Sequence, residues 1–278
     1  MANMFLQIHW NVDPTIFRLG PLAPRWYGLL FASGFLVGFY LMRNVFQREN
    51  RPETDLDFLL LYLLGGTVIG ARLGHVLFYA PSYYLMNPSE IIAIWKGGLA
   101  SHGGLLGVPL AIWLYSRRRD DQPFVWLLDR LAAPVALTGS FIRLGNLFNS
   151  EILGVPTDLP WGVVFERAAQ LRPGVEAVPL HPVQVYESIS YLLIFVGLWA
   201  LYRRWGEDTP RGLLIGLFFV LVFGVRIVLE VFKREQAHFA LDLPLGMSMG
   251  QLLSVPAVAL GLWLIWRAVA AEPSTAHS

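Results

Sequence analysis

The chain has 278 residues, 55% of them hydrophobic and only 15% charged, with a net charge of +1. A soluble domain is about 25% charged, so the composition argues for a polytopic membrane protein, and so small a net charge argues against a nucleic-acid partner. Cysteine is absent, which excludes a disulfide framework, a thiolate metal site and a cysteine nucleophile; any thiol in the chemistry must come from a substrate.

Residues 1–20 lack a basic stretch followed by an apolar run and contain Asp13 and Pro14, so they do not read as a cleaved signal peptide. About 20 predominantly apolar residues cross a bilayer as a helix. Seven such segments are expected at 22–43, 56–80, 98–116, 124–147, 183–203, 212–232 and 247–268. The fold class is therefore all-α and polytopic, a single integral membrane domain over 1–278 with one small insert at about 148–182. Basic residues cluster after the first span (Arg43, Arg48, Arg51), after the third (Arg117, Arg118, Arg119), between the fifth and sixth (Arg203, Arg204, Arg211) and at the end of the seventh (Arg267). The excess of Arg and Lys marks the cytoplasmic side. The expected topology has the N-terminus and the insert outside, in the periplasm, and the C-terminus in the cytoplasm. Glycines recur four apart at Gly34/Gly38, Gly66/Gly70/Gly74, Gly103/Gly107 and Gly212/Gly216, a spacing that lets helix backbones approach closely.

Against this apolar background, Arg72, Asp129, Arg130, Arg143, Glu151, Arg226 and Glu230 lie in or near the spans. Each charge at a span centre costs about 2.5–3.5 kcal/mol on insertion scales, so each needs an internal partner or an anionic ligand. Internal pairing is one reading: Arg226 and Glu230 are four apart and share a helix face. For Arg143 the only acid nearby in sequence is Glu151. The other reading is a ligand. Arg143 and Asn146 share a face, Asn149 extends it, and Gly145 permits close approach. Guanidinium groups bind phosphate oxygens in a two-toothed fork, and Arg226 offers a second fork. Upstream, His102 is flanked by glycines at a span entrance; histidine titrates near neutrality and can serve as a general base, although a lone histidine is more often structural. His181, Gln184 and Glu187 align if helical, as a cap or as part of a site. Neither an HExxH pattern nor a P-loop or dinucleotide fingerprint occurs, so no metal is expected.

Arg143-Leu-Gly-Asn-Leu-Phe-Asn-Ser-Glu-Ile-Leu-Gly154, with Arg25-Trp-Tyr-Gly28, Gly70-Ala-Arg-Leu-Gly74, Ser101-His-Gly-Gly-Leu105, the His181–Glu187 segment, Arg226-x-x-x-Glu230 and Ser248-Met-Gly-Gln251, resembles the prolipoprotein diacylglyceryl transferase family over nearly the whole chain. The resemblance implies a bacterial inner-membrane enzyme with no cofactor. It implies transfer of the diacylglyceryl group of phosphatidylglycerol to the lipobox cysteine of a prolipoprotein signal peptide, with release of glycerol 1-phosphate. It implies catalytic roles for His102, Arg143, Arg226 and Tyr27, and substrate binding by Arg143, Asn146, Asn149, Glu151, Gly154, Glu230, Arg72 and His181. One departure stands out: Arg234-Glu-Gln-Ala-His238 replaces the family's usual R-x-P-D. A transporter would show inverted repeats with broken helices, and none is visible. An intramembrane hydrolase would need a serine–histidine pair, paired aspartates or a metal, and only the adjacent Ser101 and His102 come near this.

Overall fold

A computed structural model describes residues 8–20, 22–234 and 247–270. The helices are α1 (Trp26–Arg48), α2 (Glu53–Phe78), α3 (Pro81–Met86), α4 (Ser101–Ser116), α5 (Phe124–Phe148), α6 (Glu166–Leu171), α7 (Val183–Trp205), α8 (Leu213–Leu229) and α9 (Met249–Ala270). Three short strands, β1 (Ile8–Trp10), β2 (Val163–Phe165) and β3 (Pro179–Leu180), and a few short 3-10 turns complete the described elements. Six of the helices, α1, α2, α5, α7, α8 and α9, are long and apolar enough to cross a membrane. The expected third span is α4, with only 16 residues; a loop of short 3-10 turns over 88–96 precedes it. The seven-segment reading thus survives with one short member, and the chain is a multi-pass membrane protein.

The chain divides into two compact units, one of residues 42–130 and one of 1–41 with 131–278. In the unit of 42–130, α2 begins after Pro52 with Glu53 and Asp55 in its first turn, where carboxylates oppose the helix dipole's positive end. It packs against α4 through glycines. A Cβ at Gly74 would lie 2.7 Å from Gly103 Cα, and one at Gly66 2.7 Å from the Gly107 carbonyl. The paired positions run in opposite senses, so the two helices are antiparallel with their backbones in contact. Dispersion and lipid release favour such contacts when hydrophobic driving force is absent. Glu49 and Arg130 form an ion pair at 2.6 Å with side chains only 1% and 2% exposed. Trp126 Nε1 donates to the same carboxylate at 2.8 Å.

In the other unit, α1 meets α5 at Gly34 and Thr138, and α8 meets α9 at Gly216 and Gly261. Prolines inside α5 (Pro134) and α9 (Pro256) are tolerated because neighbouring groups re-satisfy the freed carbonyls. Thr138 Oγ1 also donates back to the Pro134 carbonyl one turn earlier. Helix α9 opens on a reciprocal cap. Gln251 N donates to Ser248 Oγ and Ser248 N donates to Gln251 Oε1, which satisfies two end donors together. The insert at 148–182 supplies β2 and β3 of a small sheet in the order β1-β2-β3, which β1 joins from the N-terminal segment, with β1 parallel and β3 antiparallel to β2. Leu147, Leu153, Val163, Phe165, Ala168 and Leu180 form its core. Trp10 closes it, donating from Nε1 to the Leu147 carbonyl at 3.1 Å. This sheet was not anticipated from sequence, because its strands are only two or three residues long.

Candidate active site

In the larger unit, α5 ends in a turn that reverses the chain onto its own last residues. Ser150 and Ile152 both take positive φ, 52° and 58°. For a β-branched residue such as Ile152 that conformation is costly, and strain of this kind marks functional segments. The turn brings the Glu151 carboxylate back over the helix end. Asn146 Nδ2 donates to Glu151 Oε2 at 3.1 Å and Asn149 Nδ2 to Oε1 at 3.3 Å. Gln184 Nε2 donates to the Glu151 carbonyl at 2.5 Å, which ties the turn to α7. Arg143 Nη1 donates to Asn146 Oδ1 at 3.3 Å. Arg143, Asn146, Asn149 and Glu151 are thus one connected polar network at the end of a spanning helix.

The acid that faces Arg143 comes from α7. Glu187, 0% exposed, places Oε2 2.9 Å from Arg143 Nε and Oε1 2.9 Å from Lys233 Nζ. Both are ion pairs by distance but fall outside hydrogen-bond geometry, so the attraction is Coulombic and not directional. Lys233 also holds Glu230 at 3.0 Å. The anticipated Arg226–Glu230 pair is therefore not the one formed. The helix ends at Leu229 and tightens into a 3-10 turn over Glu230–Phe232. That brings Glu230 to Lys233 and sets its carboxylate against Gly250, in the first turn of α9, where a Cβ would collide with it. A carboxylate at a helix N-terminus is favoured by the dipole. Arg226 is half-buried, and its Nε is buried with no hydrogen-bond partner among the described residues.

Tyr27 packs on α5 where Gly145 removes the obstacle: a Cβ there would lie 2.8 Å from Tyr27 Cδ2. The Tyr27 hydroxyl feels the charges of Glu151 and Arg143. Gly154 backs onto the His181 carbonyl so closely that any side chain would clash, and it bridges to Lys233. His181 lies against Phe232, ring centroids 4.9 Å apart, and its Nδ1 meets the Tyr186 hydroxyl at 3.3 Å. Arg143, Asn146, Asn149, Glu151, Gly154, His181, Arg226, Glu230 and Tyr27 therefore all belong to one unit.

Arg72 and His102 belong to the other unit. Arg72, 4% exposed, donates to the carbonyls of Glu90, Ile91, Gly97 and Gly98 at 2.6–2.9 Å and reaches that of Ala93 at 3.5 Å. Gly98, at φ 73°, is needed there, since a Cβ would lie 2.7 Å from both Arg72 Nη1 and the His75 ring. This bonding secures the loop that leads into α4. His102, exposed in the first turn of α4, stacks on Tyr79 with centroids 5.7 Å apart and meets Phe78 edge-on at 5.3 Å.

The sequence profile of prolipoprotein diacylglyceryl transferase matches residues 14–267. The chain belongs to the prolipoprotein diacylglyceryl transferase family. It is 52% identical over 262 residues to a protein of Chloroherpeton thalassium named phosphatidylglycerol–prolipoprotein diacylglyceryl transferase, covering 94% of each chain. A protein of that name from Tolumonas auensis is 52% identical over 258 residues, covering 93% of this chain and 96% of its own. Another from Porphyromonas gingivalis is 45% identical over 268 residues, covering 94% and 95%. The stretch on which the resemblance to the transferase family chiefly rested, 143–154, is the one that forms the polar network and its strained turn. Glu187, which the sequence leaves open as a cap or as part of a site, and Lys233, which it does not single out, are charged members of this cluster. Their signals were an acid inside an apolar helix, and a lysine one 3-10 turn beyond Glu230. The departure at 235–238 lies outside the described residues.

Proposed function

We propose that this protein transfers the diacylglyceryl group of phosphatidylglycerol to the lipobox cysteine thiol of prolipoprotein signal peptides, at the outer face of a bacterial inner membrane. One observation carries the reading: Arg143 and Arg226 are cationic groups within an apolar unit, and neither is consumed by backbone carbonyls. A phosphodiester offers a second anion to Arg143, already beside Glu187, and supplies a partner for Arg226.

In this reading the thiol loses its proton, the sulfur attacks the glyceryl carbon next to the phosphate oxygen, and the C–O bond breaks. The electron pair leaves with glycerol 1-phosphate, and a thioether remains. Arg143 and Arg226 hold the phosphate and stabilise the charge gathering on the leaving oxygen. Asn146 and Glu151 fix Arg143, and Tyr27 and Asn149 border the headgroup. Gly154 sets the backbone, while His181 and Glu230 hold the insert and the end of α8. A free cysteine thiol has a pKa near 8.5, so a base helps; His102 is assigned that role on chemistry alone. Arg72 serves by positioning the loop before α4. The basic ends of α1, α4 and α7 face the cytoplasm, so the insert and the N-terminus lie in the periplasm, and the chain is one integral membrane domain.

The test is a lipobox peptide incubated with the purified protein and phosphatidylglycerol. A mass gain of one diacylglyceryl group with stoichiometric glycerol 1-phosphate is expected. Peptide cleavage, or no change in mass, would refute the assignment.

A further inference from the structure

We propose that Glu187 is a positioning residue that acts as a built-in counter-anion: it holds Arg143 and competes with the lipid phosphate for that guanidinium, which keeps headgroup binding weak enough for the phosphorylated product to leave. The proposal rests on the reading that Arg143 holds the donor's phosphate.

Three features support it. First, Glu187 is wholly buried and touches two cations at once, Arg143 and Lys233, each at 2.9 Å. Second, it makes no hydrogen bond to either. An anchor built for rigidity makes directional hydrogen bonds, as Arg72 does in donating to backbone carbonyls. A carboxylate held by charge alone is a contact that another anion, such as a phosphodiester, can displace or share. Third, the charges balance without ligand. Arg143 and Lys233 stand against Glu187 and Glu230, so two ion-paired cations meet two anions.

A phosphodiester brings one negative charge into this neutral cluster. The released monoester carries nearly two, since its second pKa lies near 6. The cluster therefore disfavours the product more than the substrate. Binding the headgroup equally well before and after the reaction would slow turnover, because only interactions stronger in the transition state accelerate the chemical step. Removing the Glu187 charge tips the cluster positive and turns the site into a trap for the product.

The experiment uses the full chain in mixed micelles with phosphatidylglycerol and a lipobox peptide, with glycerol 1-phosphate as inhibitor and thermal unfolding as the folding control. Close ion pairs couple strongly enough that Glu187→Gln should tighten inhibition by glycerol 1-phosphate about tenfold or more. The same variant should lower kcat without raising KM for phosphatidylglycerol. Lys233→Met should weaken the inhibition. The double variant Glu187→Gln/Lys233→Met, neutral again, should return to within about threefold of the parent, as compensating charges in one network do. Inhibition that is unchanged or weaker in Glu187→Gln would overturn the proposal and leave Glu187 a scaffold only. If that variant does not fold, Lys233→Met and the double variant decide: loss in the first without recovery in the second overturns it. Arg143→Ala is measured alongside. Unchanged activity and inhibition there would remove the phosphate-binding reading itself, whatever the Glu187 series shows.

Discussion

Arg72 and Arg143 both sit in apolar spanning helices, yet burial has been met in opposite ways. Arg72 is surrounded by fixed backbone acceptors, the carbonyls of the 90–98 loop, and a glycine makes room for its fork. Arg143 meets side chains instead, a carboxylate at ion-pair distance and one amide oxygen. Backbone carbonyls cannot exchange partners without unfolding the loop, whereas carboxylates and amides can rotate or share. A buried arginine spent on the backbone is architecture; one held by a side-chain carboxylate can be claimed by a ligand.

The strongest way to break this comparison is Arg143→Ala. Transfer should fall by about 10³-fold, roughly 4 kcal/mol of transition-state stabilisation, while the protein still inserts and unfolds at nearly the parental temperature in detergent. Arg72→Ala should do the reverse. Stranding several buried carbonyls costs about 3 kcal/mol, visible as a lowered unfolding temperature, and Arg72→Lys should recover less than half because an ammonium lacks the planar fork. If Arg72→Ala unfolds like the parent, backbone satisfaction is not what the loop depends on. Next in size is Arg226→Met. Its buried Nε has no partner among the described residues, so stability should hold or rise, while kcat/KM falls about 10²-fold. A large loss of stability there would show that Arg226 is architectural too. The smallest effect is expected at Ser248→Ala, where losing one arm of the reciprocal cap costs about 1 kcal/mol and leaves kcat untouched.

Much of the fold was legible because the bilayer demands it. Runs of about 20 apolar residues have one stable form in hydrocarbon, a helix with its backbone bonds satisfied internally. The third segment shows the limit: residues 98–100 stay outside α4, because Ala100 N bonds back to the Ala71 carbonyl and the positive φ of Gly97 and Gly98 breaks the helix. The 143–154 stretch was legible as a site because Arg143, Asn146 and Asn149 fall at helical spacing. The pairing of Glu187 was not, since its partners lie 44 and 46 positions away in opposite directions along the chain.

Sequence alone determined that this chain is membrane-embedded and helical, that arginines stand where charge is expensive, and which family signature they form. Those properties follow from composition, local spacing and the cost of a charge in lipid, none of which needs a distant residue. Tertiary structure decided which arginine is satisfied by what: Arg72 by carbonyls, Arg143 by an acid from α7, and Glu230 by Lys233 in place of Arg226. Pairing of charges depends on distance in space, falling off within a few ångströms, and only the packed helices set those distances.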